Sequence, residues 1–470
     1  MKLENPSEIG ESLPPLAKSL GRCSTRVTPR EQEQTESQTS TAQTIQTDQA
    51  SRLTLRLLDE LIGGNATDRV GMRLWDGTSW PDDAPHAATV VLKHPGALRA
   101  MFLPGNEVGL AEAYLYDDFD VEGEMEAVFE LAEALEPAAL GWRRKLRLAR
   151  DLLHLPTGQG RRPGRRGPAK LRGRRHSVER DRQAVTFHYD VSNDFYALWL
   201  DRRMVYSCAY FYSPDEELDT AQERKLDYLC RKLRLRPGQR LLDVGCGWGG
   251  LVIHAAQHYG VDATGITLSQ PQADLANERI AAAELADRCR VWVRDYREMD
   301  EPDRYDALVS VGMFEHVGAA LLPTYFAQTW QLLKPGGVFV NHGIANTAAD
   351  RPGRRSPSFS QTYVFPDGEL VSISTTLRVA EESGFEVRDV ESLREHYALT
   401  LRHWVRRLET HHERALQFVD EPTYRVWRLF MSGSAYGFST GRLNLYQALL
   451  VKPGERGQSG LPLTRADWYA

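Results

Sequence analysis

From about Asp181 onward the chain alternates short apolar runs with amphipathic stretches, and this alternation limits the possible fold more than any other feature. The apolar runs are RLLDVG (240–245), DATGIT (262–267), RVWVRDY (290–296), YDALVSVG (305–312), GGVFVNHGI (336–344) and QALLVKP (447–453). Between them LVIHAAQHYG, PQADLANERIAAAEL and LLPTYFAQTWQLLK read as helices. Strands and helices in alternation predict an α/β fold with a doubly wound, Rossmann-like sheet whose ligands sit at the carboxyl ends of the strands.

The first strand runs into LLDVGCGWGG (241–250), which places Asp243 and then Gly245, Cys246, Gly247 and Gly249 at a strand-to-helix turn. Glycines there let the backbone come close to a ligand. The spacing is GxGxGG, not the GxGxxG of dinucleotide folds, and DATGIT ends without the carboxylate that would take a ribose diol. Asp295 follows the third strand, where it is placed to accept from an adenine amino group. This combination resembles the S-adenosylmethionine site of class I methyltransferases.

A second stretch, VSVGMFEHVG (309–318), runs without a break from a buried strand into a glutamate and a histidine. Burying ionisable groups at a strand tip costs free energy unless chemistry there uses them.

The 470 residues suffice for two or three cores, and no apolar run is long enough to span a bilayer. A basic-then-apolar leader is missing, so no secretory signal is expected. The five cysteines (Cys23, Cys208, Cys230, Cys246, Cys289) are scattered and never form a CxxC pair. Neither a disulfide framework nor a structural metal is expected, and a reducing cytoplasm fits.

Charge and polarity divide the chain. Residues 1–48 read as a disordered polar tail with too few apolar side chains to order it. Residues 49–156 read as a small α+β domain: a helix in LTLRLLDELIGG, a hairpin-like VGMRLWDGTSW, then ATVVLKHPGALRAMF, then one further helix around EVGLAEAYLYDDFDVEGEMEAVFELAEAL. It ends in GWRRKLRLARDLLHL (141–155), where Trp142, Leu146, Ala149 and Leu153 recur at helical spacing among arginines. A basic amphipathic helix of this kind suits an anionic membrane surface. Residues 157–180 form an Arg/Gly/Pro-rich linker, and 181–470 the catalytic domain. Between Arg143 and Arg175 thirteen Lys/Arg face one acid, Asp151, so a segment of +12 lies in a chain of net charge −6. Phosphates are its natural partners. No aromatic residue interrupts the linker, so no nucleic-acid stacking platform is expected.

HYDVSNDFYALWLD (188–201), MVYSCAYF (204–211), GITLSQPQ (265–272), FEHVG (314–318) and NHGI (341–344) occur in this order. Together with the glycine turn they resemble the cyclopropane fatty acyl phospholipid synthase family, which includes mycolic acid cyclopropane synthases. The resemblance covers about residues 50–453. It implies a class I S-adenosylmethionine-dependent methyltransferase with a small N-terminal α+β domain that associates with lipid. The cofactor would be held by Tyr206, Ser207, Asp243, Gly245, Cys246, Gly247, Gly249, Thr267, Leu268, Gln272, Asp295 and Tyr296.

The resemblance also implies methyl transfer to the cis double bond of an unsaturated phospholipid acyl chain. A carbocation follows, and a bound bicarbonate ion removes the proton that closes a cyclopropane ring. Its cradle would comprise Glu315 as acceptor, His342, Tyr397 and the Ile344 N–H as donors, and Cys208 as a weakly polar wall. A cytoplasmic protein, peripheral to the inner membrane face, is expected, and a homodimer is suggested. Ser434 stands where family members often carry a cysteine, so no catalytic thiol is expected there. Methyl-branched or methylene fatty acid formation is the near alternative. Methylation of a small soluble molecule, or phosphate or nucleic-acid binding without catalysis, are more distant ones.

Overall fold

The computed structural model describes residues 48–63, 68–134, 141–158, 167–189, 191–347 and 358–469. All but the last residue of the polar tail 1–48, and the middle of the Arg-rich linker, lie outside them. Ser51–Ala470 packs as one compact unit. Among the described residues no helix is long and apolar enough to cross a membrane.

A four-stranded sheet comes first in the chain. Its strands are β1 (Val70–Arg73), β2 (Ser79–Trp80), β3 (Ala88–Leu92) and β4 (Phe119–Gly123), in the order β2-β1-β3-β4. β1 and β2 form the hairpin that VGMRLWDGTSW suggests. The expected single helix over EVGLAEAYLYDDFDVEGEMEAVFELAEAL is corrected. A helix at Glu107–Leu115 stops, β4 intervenes, and a second helix occupies Met125–Ala134. Asp117 adopts a left-handed φ of 66°, which ends the first helix. FDVEG then pairs antiparallel with β3 along its whole length. That pairing is a non-local gain which helical spacing cannot reveal.

The second sheet has seven strands: β5 (Arg240–Val244), β6 (Asp262–Thr267), β7 (Cys289–Val293), β8 (Tyr305–Val311), β9 (Leu333–Asn346), β10 (Glu386–Ser392) and β11 (Leu443–Val451). Their order is β10-β11-β9-β8-β5-β6-β7. β5 to β9 run parallel, and β11 and then β10 add antiparallel at one edge. This is the class I methyltransferase arrangement. The strand order reverses between β5 and β8, the switch point where ligands settle in open α/β sheets. β10 was not expected. EVRDVES is a charged, half-exposed edge strand without an apolar run.

The two sheets are joined through the helix Glu421–Ser439. Val426 on this helix, with Phe359, Tyr363 and Val364, belongs to the apolar cluster beneath the small sheet. Arg425 donates to the Tyr114 carbonyl at 2.7 Å and pairs with Asp117 and Asp120 at 2.8 and 3.2 Å. Arg428 donates to the Tyr114 hydroxyl at 3.0 Å and the Val121 carbonyl at 3.1 Å. Such charge-assisted bonds at a buried seam contribute more than surface pairs. Arg425→Leu is expected to lower the unfolding free energy by about 1.5–3 kcal/mol. A shift in denaturant midpoint with cofactor affinity unchanged would check it.

Candidate active site

β5 ends at Val244, and the chain then turns through three positive-φ glycines, Gly245, Gly247 and Gly249. Gly245 has φ 88°, and a Cβ there would stand 2.7 Å from the Met313 side chain. Gly249, at φ 77°, precedes the helix Gly250–Tyr259, whose first amides receive no side-chain cap. Those amides and the open turn form a floor suited to a polar ligand. Gly245, Cys246 and Gly247 line a pocket there, joined by Tyr206, Ser207, Asp243, Thr267, Leu268, Gln272, Asp295 and Tyr296. Gly249 alone of the expected cofactor residues does not line it; its role is to shape the turn.

Inside this pocket the polar groups are partly spoken for. Thr267 Oγ1 donates to Gln272 Oε1 at 2.8 Å, and Lys225 Nζ donates to Ser207 Oγ at 2.9 Å. Burial pushes the Asp243 carboxyl up to about 7, against the pull of Lys225, and its Oδ1 has no partner. A buried, unpartnered carboxylate oxygen suits a cationic donor such as the ammonium of S-adenosylmethionine. Asp295, which lines the pocket, is oriented by a guanidinium fork: its Oδ1 accepts from Arg297 Nε at 2.8 Å and its Oδ2 from Arg297 Nη2 at 2.7 Å. The carboxylate keeps further acceptor capacity beside these bonds.

A second cavity, of about 1530 Å³, adjoins the first. It exceeds the ~300–1,000 Å³ of ordinary small-ligand pockets. Its walls come from both sheets: Met72, Val90 and Val121 at the small sheet, Leu429 and Phe430 on the joining helix, and Trp404 deeper in. Tyr189, Tyr206, Ser207, Gly312 and His316 line both cavities and form the wall they share.

All five residues of the expected cradle, Cys208, Glu315, His342, Ile344 and Tyr397, line the second cavity. They come from separate segments. Cys208 follows the cofactor Tyr-Ser pair; Glu315 sits in a single turn, Phe314–His316, just past β8. His342 and Ile344 are on β9, and Tyr397 is on the helix Arg394–Thr410. Glu315 Oε1 accepts from the Ile344 N–H at 2.7 Å, while Oε2 is buried without a partner. Burial raises the Glu315 pKa to about 7. His342 Nε2 is likewise buried and unpartnered, and burial holds the ring neutral. Burial raises the Tyr397 phenol well above its usual value, with Cys208 and Glu315 near enough to add to the shift. Burial also pushes the Cys208 thiol far up, so it stays protonated.

The Ile344 N–H donates to Glu315 Oε1 and so orients that carboxylate. The same cavity is lined by one acceptor without a partner, Glu315 Oε2, and by His342 and Tyr397 as donors. Bicarbonate, with one O–H and several acceptor oxygens, fits that set.

The parallel sheet, the glycine turn and the unpartnered Asp243 beneath it define an S-adenosylmethionine-dependent methyltransferase. The chain matches the family described as mycolic acid cyclopropane synthetase over residues 176–448, and it belongs to that family. It is 42% identical over 400 residues to a probable fatty acid methyltransferase of Pseudomonas putida, covering 85% of this chain and 95% of that one. It is 35% identical over 270 residues to the cyclopropane-fatty-acyl-phospholipid synthase of Escherichia coli strain K12, covering 57% of this chain and 68% of that one. Among solved structures it is similar to the mycolic acid cyclopropane synthase CmaA1 complexed with SAH and CTAB. There the identity is 35%, the TM-score 0.54, and the coverage 57% of this chain and 97% of that one.

Sequence reasoning passed over Tyr189, although it lies inside HYDVSNDF, and singled out the histidine of FEHVG, His316, without giving it a role. It also passed over Lys225, which carries no motif and is recognisable only from its burial. Burial pushes the His316 pKa down to about 4, with His176 adding to the effect, so His316 presents a neutral ring at the shared wall.

The raised pKa of Glu315 has a sign that can be checked. The folded chain keeps this proton longer than the unfolded chain, whose carboxyl titrates near 4.5. The resulting stability is full below that value and is lost as pH rises through about 7. Glu315→Gln, which keeps the bond from Ile344, should match the parent near pH 4.5 and exceed it near pH 8 by on the order of 3 kcal/mol. Urea unfolding of cofactor-free protein at both pH values reads this directly. Equal differences at the two would mean Glu315 ionises normally.

Proposed function

We propose that this methyltransferase acts on the cis double bond of unsaturated acyl chains in membrane phospholipids and closes a cyclopropane ring. The observation that carries the reading is that Glu315, His342 and Tyr397 all line one large, mainly apolar cavity, across a shared wall from the cofactor pocket. S-adenosylmethionine supplies an electrophilic methyl group. An isolated alkene is a weak nucleophile, so the chain must be held in line and dry, which an apolar cavity does. Once the methyl has joined one alkene carbon, the neighbouring carbon is cationic, and loss of a proton from the added methyl leaves the electron pair that closes the ring. Bicarbonate, when bound, supplies the base for that proton. Glu315 and His342 hold and orient it, and the protonated Cys208 thiol is not a nucleophile that the cation would alkylate.

A second reading keeps the first step and changes the second. The similarity to the Pseudomonas putida protein extends over nearly its whole length, and that protein is described as a probable fatty acid methyltransferase. A hydride shift in place of ring closure would move the cation to the methyl-bearing carbon, and loss of a proton would then give a methylene chain or a methyl-branched, still unsaturated one. Mass analysis of lipid from cells expressing the chain separates the outcomes. A ring adds one CH₂, removes the alkene and resists hydrogenation; a reducible added carbon would favour the second reading. With vesicles of unsaturated phospholipid, Glu315→Gln is expected to retain cofactor binding while turnover falls by about 10²–10³. Turnover that is unchanged and indifferent to bicarbonate would overturn the cradle.

We also propose that the helix Trp142–His154 seats the protein on anionic lipid at the inner membrane face. It turns Leu148, Asp151 and Leu152 inward and leaves Trp142, Leu146 and Leu153 exposed at 67, 62 and 53%. Lys145 and Arg147, beside this ridge, make no ion pair among the described residues. An exposed apolar ridge within a basic field suits the interface of an anionic bilayer. Trp142→Ser with Leu146→Ser should weaken co-sedimentation with phosphatidylglycerol vesicles by at least about tenfold. Activity on detergent-dispersed lipid should stay unchanged. Undiminished co-sedimentation would remove the helix from the proposal.

A further inference from the structure

His342 reaches the cavity through one nitrogen, and the other is held by a buried chain of polar side chains. β9 and β11 pair antiparallel with His342 directly opposite Gln447, so the two side chains share a face of the sheet. Gln447 Nε2 lies 3.0 Å from His342 Nδ1, and Lys232 Nζ lies 2.9 Å from Gln447 Oε1. Lys232 also pairs with Glu391, whose carboxylate accepts from the Tyr228 hydroxyl at 2.9 Å and the Tyr210 hydroxyl at 3.2 Å. Tyr228 is bonded in turn to Tyr469, close to the end of the chain, at 3.1 Å. His342, Gln447 and Lys232 are each 1% exposed.

The order of donors in this chain admits one solution. Burial lowers the Lys232 pKa, and the Glu391 carboxylate paired with it opposes that shift and favours the ammonium form, which can only donate. Gln447 must therefore turn its carbonyl oxygen toward Lys232 and its NH₂ toward the histidine. Nδ1 must then accept, which places the single ring proton on Nε2. A second proton, on Nδ1, would meet the amide hydrogens head-on beside two buried lysines.

We propose that Lys232 and Gln447 are positioning residues that fix His342 as a neutral Nε2–H donor and thereby bar it from acting as the reaction's base. The chemical meaning rests on the proposed oxyanion site; the tautomer itself does not. With Nε2 carrying the proton and Nδ1 occupied, the ring has no free lone pair to take a proton from the substrate. A separate base is then required, and His342 serves to hold it.

The test uses full-length protein with selectively ¹⁵N-labelled histidine, His342→Gln identifying the ring signals. In the parent, near neutral pH, Nδ1 should show the shift of a bare ring nitrogen and Nε2 that of a protonated one. Gln447→Glu replaces the NH₂ donor by an acceptor and should move the proton onto Nδ1 or add a second one. It should also raise the half-saturating bicarbonate concentration more than tenfold, with S-adenosylmethionine affinity unchanged. Gln447→Met, free of a new charge, should yield a mixture of tautomers and an intermediate effect. A protonated Nδ1 in the parent overturns the proposal without any variant having to fold. So does Gln447→Glu that leaves the ring signals and bicarbonate response alone. Ring signals as expected, in an enzyme indifferent to bicarbonate, would leave the tautomer standing and remove the oxyanion reading instead.

Discussion

The bond from the Ile344 amide to the Glu315 carboxylate joins the exit of β8 to the carboxyl end of β9, and the candidate active site is arranged around it. A carboxylate without solvent is costly, and one backbone amide offsets only part of the cost. The remainder shows in the elevated pKa and in an oxygen left with nothing to accept. That shortfall makes Glu315 useful, because an oxygen satisfied by the protein would have no affinity left for a ligand. The geometry depends on the parallel register of β8 and β9, which sets Val311 beside His342. The Gly312 amide then donates to the His342 carbonyl at 2.9 Å, which holds the turn that presents Glu315.

Two cavities meet at one wall. The cofactor pocket combines the glycine turn and polar groups such as Asp243 and Gln272 with apolar side chains such as Trp248, Leu251 and Met313. The larger cavity is lined by aliphatic and aromatic side chains drawn from both sheets. Tyr206 and Ser207 touch both, and Cys208, the next residue, faces the larger one alone. A short extended segment thus separates the methyl donor from its acceptor while belonging to each site. The division suits a reaction between a soluble cofactor and an apolar chain, since neither compartment has to accommodate the other's solvent.

Much of the large sheet was legible because buried parallel strands read as unbroken apolar runs. DATGIT coincides with β6, and RLLDVG overruns β5 by one residue. β10 was not legible, since EVRDVES is an edge strand that buries Asp389 and turns Glu391 toward Lys232 while leaving Val390 exposed, the reverse of the usual apolar-in pattern. β4 was hidden inside a helical pattern that only its pairing with β3 interrupts. The cofactor residues stood out through the glycine turn, which has few other uses. The cradle was legible only through family resemblance: Cys208, Glu315, His342 and Tyr397 lie far apart in sequence, and no spacing rule brings them together. Ile344 and Asp295 were assigned to ligands, and no pattern in the sequence shows the partners within the protein that the fold also gives them. Gln447 stood in plain view as the first letter of QALLVKP, yet its meaning depends on a register that no single strand contains.

The cavity between the sheets takes up volume that most proteins of this size fill with their own side chains. Met72, Val90 and Val121 line it, so an apolar guest there would add dispersion contacts to those the protein makes for itself. By mass action, any molecule that occupies the native cavity and ignores the unfolded chain raises the melting temperature. A cavity of this kind would therefore tie thermal resilience to the supply of whatever fills it.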